Sequence, residues 1–376
     1  MMDNHERISL YSVLIFNFFL LFICRLPSDV VSADPGDAPP LAPALYVFGD
    51  SLFDNGNNNL LPTVAKANFF PYGVNFASGP TGRFTNGRTV ADFIAEYLGL
   101  PYPPPYLGLR YSPFVSDLGM NYASGSCGIL HETGKFIGKC LSIGEQIALF
   151  ETTIMSQLRT YHTSSSDSWS SYMAQSIFII SIGSNDYINN YLQPIPGLRR
   201  NYSPQSFASL LVNHLALHLQ RLYELGARKV VMFEIGPIGC IPSMMRAAGR
   251  RGGCVEETNR LALMFNNRLD DMLKTLGSNL PGSNFILGRV HEFAYNALKY
   301  PTKYGIEDAS NPCCTTLGNG TTGCIPAVSP CGNPDTHYFW DGYHLTEAVY
   351  KLVGDRCLYD SSICFPKSVK QLVVAG

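Results

Sequence analysis

Five short apolar, β-rich runs recur along the chain: Ala44–Phe48, Met120–Ser124, Ile177–Ile182, Lys229–Phe233 and Asn284–Leu287. Between them the apolar residues fall at helical spacing, as in Thr89–Leu98, where Val90, Phe93, Ile94, Tyr97 and Leu98 share a face. The same spacing predicts helices over Ile143–Tyr161, Pro204–Leu225, Glu256–Leu276 and Thr346–Arg356. Strands that alternate with helices require crossover connections, so the chain should form a largely parallel five-stranded sheet with helices on both faces, a three-layer α/β/α fold. In such folds chemistry gathers beyond the carboxyl ends of the strands. Two segments fit no element: Phe53–Arg88, continuing through Pro101–Pro105, and Tyr300–Trp340. Irregular stretches of that length in a domain are binding or lid elements, or are held by cross-links. The serine-rich Ser164–Ser171 reads as an exposed loop. No repeat and no linker divides the chain, and 46% apolar content is enough for one large core.

The first residues read differently. Leu10–Cys24 is a nearly unbroken apolar run of 15 residues, short for a membrane span but right for a signal-peptide core. Val31-Ser32-Ala33 then offers small residues for cleavage, so residues 1–33 are expected to be a signal peptide and 34–376 one domain. The alternative, an uncleaved anchor, needs a longer run. After cleavage no stable membrane insertion is expected. The n-region lacks the usual net positive charge, since Arg7 is offset by Asp3 and Glu6. With 27 basic and 29 acidic residues and no basic cluster, nucleic acid is not an expected partner. Of eleven cysteines, Cys24 leaves with the signal, and an even number remains in an exported chain, which reads as disulfides. The rival reading is a zinc site in the dense Cys313-Cys314…Cys324…Cys331 cluster, but no C-x-x-C pair occurs, so no metal is expected. Asn201-Tyr-Ser203 and Asn319-Gly-Thr321 are glycosylation sequons, with Pro204 immediately after the first. Secretion to the extracellular space accounts for all three features together.

Three phrases carry chemistry. Phe48-Gly49-Asp50-Ser51-Leu52 ends the first strand and leaves a serine hydroxyl at the sheet's carboxyl edge. Asp341-Gly-Tyr-His344 places a carboxylate and an imidazole three residues apart, and with Ser51 these are a nucleophile, a base and a group that orients the base. Ser181-Ile-Gly183-Ser-Asn185-Asp186 follows the third strand, where the Asn185 amide can donate to an oxygen that becomes negative. The nucleophile elbow G-x-S-x-G occurs nowhere in the chain.

In that order the phrases resemble the GDSL esterase/lipase family of SGNH hydrolases, most closely its secreted plant branch. The resemblance spans nearly all of residues 44–360. It includes Gly82-Arg-Phe-Thr-Asn-Gly-Arg-Thr-Val-Ala-Asp92, Asn121-Tyr-Ala-Ser-Gly125 and Gly236-Pro-Ile-Gly-Cys-Ile-Pro242. It implies a flavodoxin-like SGNH fold and a cofactor-independent serine esterase or lipase. Ser51 matches the nucleophile, His344 the base and Asp341 its partner. The oxyanion would be held by Asn185, the main-chain N–H of Ser51 and a main-chain N–H of the Gly125–Ser126 loop, where Ser126 stands at a position often glycine in the family. A Cys127–Cys140 bridge would stiffen that loop. Cys240–Cys254, Cys357–Cys364 and pairings of Cys313/Cys314 with Cys324/Cys331 are expected as well, though sequence leaves the connectivity open.

Other residues invite weaker readings. His214 and His218 lie four apart on a helix but lack the Glu of H-E-x-x-H, so packing or solvent exposure is expected. Gly236–Gly239 reads as a turn, and Asp335 and His337 as loop residues. Asp54, Asn57 and Arg83 are expected to brace the elbow. Phe53 and Tyr187 could line an acyl pocket or simply pack. The substrate is expected to be a small-molecule, lipid or polysaccharide ester. Alternatives are an acyltransferase or a polysaccharide acetylesterase using the same site, or a wall or cuticle binding protein without chemistry. Acyl length, alcohol and oligomeric state are not readable from the sequence.

Overall fold

Apolar side chains alternate along every central strand, so each strand feeds two cores. Tyr46, Phe48, Phe178, Ile180, Val230 and Met232 face one side, while Leu45, Val47, Ile177, Ile179, Val231 and Phe233 face the other. This is the pattern of a sheet covered on both faces. The computed structural model describes residues 39–109, 116–155, 166–193 and 201–374, which lie within one compact unit beginning at Pro39. The signal-peptide reading falls outside these residues. Among them, no helix is long and apolar enough to cross a membrane.

The sheet contains β1 (Leu45–Gly49), β2 (Gly119–Asn121), β3 (Ile177–Ser181), β4 (Lys229–Phe233), β5 (Asn284–Gly288) and β8 (Cys364–Phe365), in the order β2-β1-β3-β4-β5-β8. The five expected strands are parallel and in the expected places. The sixth, β8, adds two antiparallel residues to the β5 edge, too short for a pattern to reveal. Two further strands, β6 (Asp308–Pro312) and β7 (His337–Phe339), pair in a small separate sheet within the segment read as irregular.

One face is covered by α2 (Ile143–Thr153), α3 (Ser166–Gln175), α4 (Pro204–Glu224) and α5 (Glu256–Asn279). The other carries α1 (Val90–Leu98), α7 (Glu347–Tyr359) and α8 (Val369–Val374). Helix α6 (Val290–Lys299) lies between this core and a smaller one with Tyr338 and Phe339. Two readings need correction here. The expected serine-rich loop is helical from Ser166, because buried Met173 and the packed Trp169 and Tyr172 anchor a segment of poor intrinsic propensity. Helix α6 was not anticipated at all. The predicted helix over 143–161 is continuous to Thr153, and residues 156–161 lie outside the described residues.

Five disulfides join Cys127–Cys140, Cys240–Cys254, Cys313–Cys331, Cys314–Cys324 and Cys357–Cys364. They resolve the open pairing within the cluster at 313–331 and explain how so long a segment holds its shape. Cys313, Cys331 and His337 lie close enough to suggest a metal site, but both sulfurs are spent on one bond.

Candidate active site

The elbow begins where β1 meets β3. Gly49 has φ +139°, and a Cβ there would sit 2.1 Å from the Ser181 carbonyl oxygen, so only glycine lets the chain turn at this point. The buried Gln146 of α2 secures the turn, accepting from the Gly49 N–H at 2.8 Å and donating to the Gly49 carbonyl at 2.7 Å. Asp54 fixes the other side by accepting from the N–H groups of Gly56, Asn57 and Gly125 at 2.9, 2.8 and 3.0 Å. Asn57 donates to the carbonyls of Asn121 and Ala123. Arg83 pairs through two nitrogens with Asp92 in the first turn of α1. Asp54 and Asn57 thus brace the turn, whereas Arg83 ties its own segment to α1 and Thr81. Burial pushes the Asp54 carboxyl up to about 6 despite the N–H groups it accepts.

The phrases separated by almost 300 residues meet beyond the strand ends. His344 Nε2 lies 2.8 Å from Ser51 Oγ, and His344 Nδ1 lies 2.9 and 2.8 Å from the two Asp341 oxygens. Asp341 Oδ1 also accepts from the N–H groups of Tyr343 and His344, both at 2.8 Å, an Asx-type turn that the three-residue spacing makes possible. Its other oxygen accepts from the Tyr72 hydroxyl at 2.6 Å. Burial alone would raise the Asp341 carboxyl, but the nearby His344 and these donors outweigh it and hold it below the usual range. Burial and the Asp341 charge hold the Tyr72 hydroxyl well above its usual value, so it remains a donor. The Phe84 ring flanks the imidazole with centroids 5.0 Å apart.

Opposite the imidazole, Ser126 and Asn185 line the same cavity as Ser51. Ser126 has φ +68°, a conformation glycine adopts freely and serine adopts only when its surroundings impose it. The Gly125 N–H is already donated to Asp54 at 3.0 Å. Asn185 Nδ2 donates to the Cys127 carbonyl at 3.0 Å, and its Oδ1 accepts from Asn189 at 2.8 Å, so the amide is oriented from both ends. The next residue, Asp186, is fully buried and accepts from Ile129 N–H, Leu130 N–H and the Thr133 hydroxyl at 2.7, 3.0 and 2.7 Å. Burial pushes it up to about 6 against these donors. The loop around Ser126 is therefore held by Asp54 at one end, Asp186 at the other and the Cys127–Cys140 bridge between.

Sequence reasoning missed Tyr72, Gln146 and the role of Asp186, whose contacts cross long stretches of chain and leave no local spacing. Asp50, beside Ser51, accepts from Leu52 N–H at 3.0 Å, and burial pushes its carboxyl up to about 7. His337 and Asp335 lie away from the triad, with His337 Nδ1 against the Asn333 carbonyl. His218 packs near Gly144. Phe53 lines the cavity, whereas Tyr187 is in the core on the other face.

A parallel α/β sheet with serine, imidazole and carboxylate in line at its carboxyl edge defines a carboxylic ester hydrolase of the SGNH type. The model of the GDSL-like lipase/acylhydrolase family matches residues 45–357, and the chain belongs to that family. GDSL esterase/lipase 7 of Arabidopsis thaliana is 43% identical over 363 residues, covering 94% of this chain and 98% of that protein. A second GDSL esterase/lipase of the same plant is 42% identical over 347 residues, covering 90% and 89%. Among solved structures, phospholipase A1 from Streptomyces albidoflavus NA297 aligns with a TM-score of 0.35 at 10% identity, covering 84% of this chain and 96% of that one.

Proposed function

We propose that the chain hydrolyses carboxylic esters through a Ser51–His344–Asp341 triad and an acyl-enzyme. Ser51 Oγ attacks the ester carbonyl while His344 Nε2 takes its proton. The carbonyl oxygen becomes an oxyanion facing the N–H groups of Ser51 and Ser126 and the Asn185 amide. His344 then gives the proton to the departing alcohol, water attacks the acyl-enzyme with His344 as base, and Ser51 is regenerated. The observation that carries this reading is the unbroken chain of hydrogen bonds from Ser51 Oγ through His344 to Asp341 and Tyr72.

The compartment is proposed on the same footing. Five disulfides and two exposed sequon asparagines, Asn201 and Asn319, support an exported glycoprotein whose leader ends near Ala33. The test is hydrolysis of p-nitrophenyl esters by the purified mature chain beside Ser51→Ala. Turnover should fall by at least 10³-fold in the variant, in line with loss of a nucleophile. Wild-type rates in Ser51→Ala would overturn the assignment. Adding a competing alcohol distinguishes hydrolysis from acyl transfer, because transfer product above the share expected from solvent competition would favour the acyltransferase.

A further inference from the structure

Protein interiors rarely leave voids larger than a water molecule, because each void forfeits packing. Here a cavity of about 700 Å³ opens at Ser51 and reaches among residues that otherwise belong to the core. Its outer part is bounded by loop residues, among them the exposed Val64 and Leu317. Its inner part is bounded by Phe53 and Phe233, by Tyr350 and Val353 of α7, and by α6. Helix α6 presents Val290, Ala294 and Leu298 to it, a stripe at four-residue spacing with its smallest side chain at the centre. Phe53, Phe233, Tyr350 and Val353 are buried members of the core beneath the sheet, so the chamber is part of the folded interior and not a surface dent. The ionisable groups lining the cavity are Asp50, Asp341 and His344 around Ser51, Lys66, Glu234 and four tyrosines. Glu234 at the end of β4 is pushed up by burial to about 7 and accepts from the His291 N–H, so near neutrality it carries only part of a charge.

We propose that this inner chamber is the acyl subsite, built for an unbranched acyl chain of medium to long length, with Ala294 setting how deep the chain reaches. The proposal rests on the ester-hydrolase reading and names the substrate class for it. The direction follows from the proton path. The departing alcohol oxygen must take its proton from His344 Nε2, and the imidazole lies against Phe84, in the cluster with Tyr72 and Cys324. The alcohol therefore leaves toward that outer wall. The carbonyl carbon's other substituent is directed to the remaining opening, past Phe53 into the chamber. A fatty acyl chain there replaces an empty apolar volume with contacts, and each methylene adds about fourfold to binding, the equivalent of ~0.8 kcal/mol.

The test is kcat/KM on p-nitrophenyl acetate, butyrate, octanoate and laurate for wild type, Ala294→Phe and Leu298→Trp, with folding checked by melting temperature. A parallel series of acetate esters of increasing alcohol length controls for the other side. With six added methylenes at about fourfold each, wild type should prefer octanoate over acetate by on the order of 10³-fold. Ala294→Phe should lower the octanoate-to-acetate ratio by at least tenfold and leave the alcohol-length trend in place. Leu298→Trp, farther along the stripe, should lower the laurate-to-octanoate ratio instead, and it carries the test if Ala294→Phe does not fold. A wild-type preference for acetate would overturn the proposal, as would unchanged ratios in both variants or a response confined to the alcohol series. No turnover on any ester would instead overturn the ester-hydrolase reading beneath it.

Discussion

Tyr72 is the residue whose position says most about how the site is held. Its hydroxyl donates to Asp341 and accepts from the Cys324 N–H at 3.1 Å, and Cys324 is bonded to Cys314. The triad's carboxylate is thus tied through one phenol to a disulfide-braced loop. Replacing Tyr72 by Phe removes one donor from a buried charge, a loss of about 1–3 kcal/mol in that interaction. The carboxylate, stripped of that donor, holds the protonated imidazole more tightly. The expected outcome is a fall in kcat of about tenfold with KM little changed, and an acid limb of the kcat/KM profile moved to higher pH. A packing role alone would lower thermal stability and leave the profile where it was. Nothing in the sequence marks Tyr72, because its partner is 269 residues away. That Ser51, Asp341 and His344 belong together was suggested by the sequence, because two lie within one turn of chain and the third follows a strand, and the structure brings the three side chains into contact.

At the scale of elements, the oxyanion loop shows how a strained conformation is maintained. Ser126 at positive φ persists because Asp54, Asp186 and the Cys127–Cys140 bridge fix its neighbours on both sides. A bridge across 13 residues constrains the unfolded chain by about 3 kcal/mol. In the Cys127→Ser/Cys140→Ser double variant the melting temperature should fall, and kcat should fall further than the loss of folded protein explains, because a mobile donor stabilises the oxyanion less. Stopped-flow acylation rates measured well below the melting temperature separate the two effects. The strands were readable because each is a short, mostly apolar, β-rich run, and the crossover rule then dictated the layers. The β6–β7 pair and β8 were not, since Asp308–Pro312 contains no apolar alternation and β8 has only two residues. Their shape comes from the disulfides, whose pairing spacing alone does not decide.

Across the whole molecule, buried carboxyls set the response to pH. Asp54 and Asp186 are raised to about 6, and Asp50 and Glu234 to about 7, each chiefly by burial. A raised carboxyl binds its proton more tightly folded than unfolded, so its stabilising contribution is full below the unfolded value near 4 and is lost as pH rises through 6–7. Asp341, Asp308 and Asp360 are lowered; Asp341 and Asp308 owe this to hydrogen-bond donors and the nearby His344 and His337 overcoming burial, and Asp360 to hydrogen bonds from Ser362. Their contribution is present above pH ~4 and lost as pH falls through their folded values. The melting temperature should therefore peak between about pH 4 and 5.5 and decline toward neutrality, which differential scanning fluorimetry across pH 3–8 measures directly. A monotonic rise to pH 8 would contradict the assignment of these groups as buried acids.

The central claim is that Ser51 becomes covalently acylated, and the most direct measurement is active-site labelling followed by peptide mapping. Treated with an alkyl fluorophosphonate, the wild-type chain should gain one adduct, located on the peptide containing Ser51, while turnover falls in step with labelling. Ser51→Ala, equally well folded, should gain none. An adduct on another residue, or full turnover after Ser51 is occupied, would contradict the account.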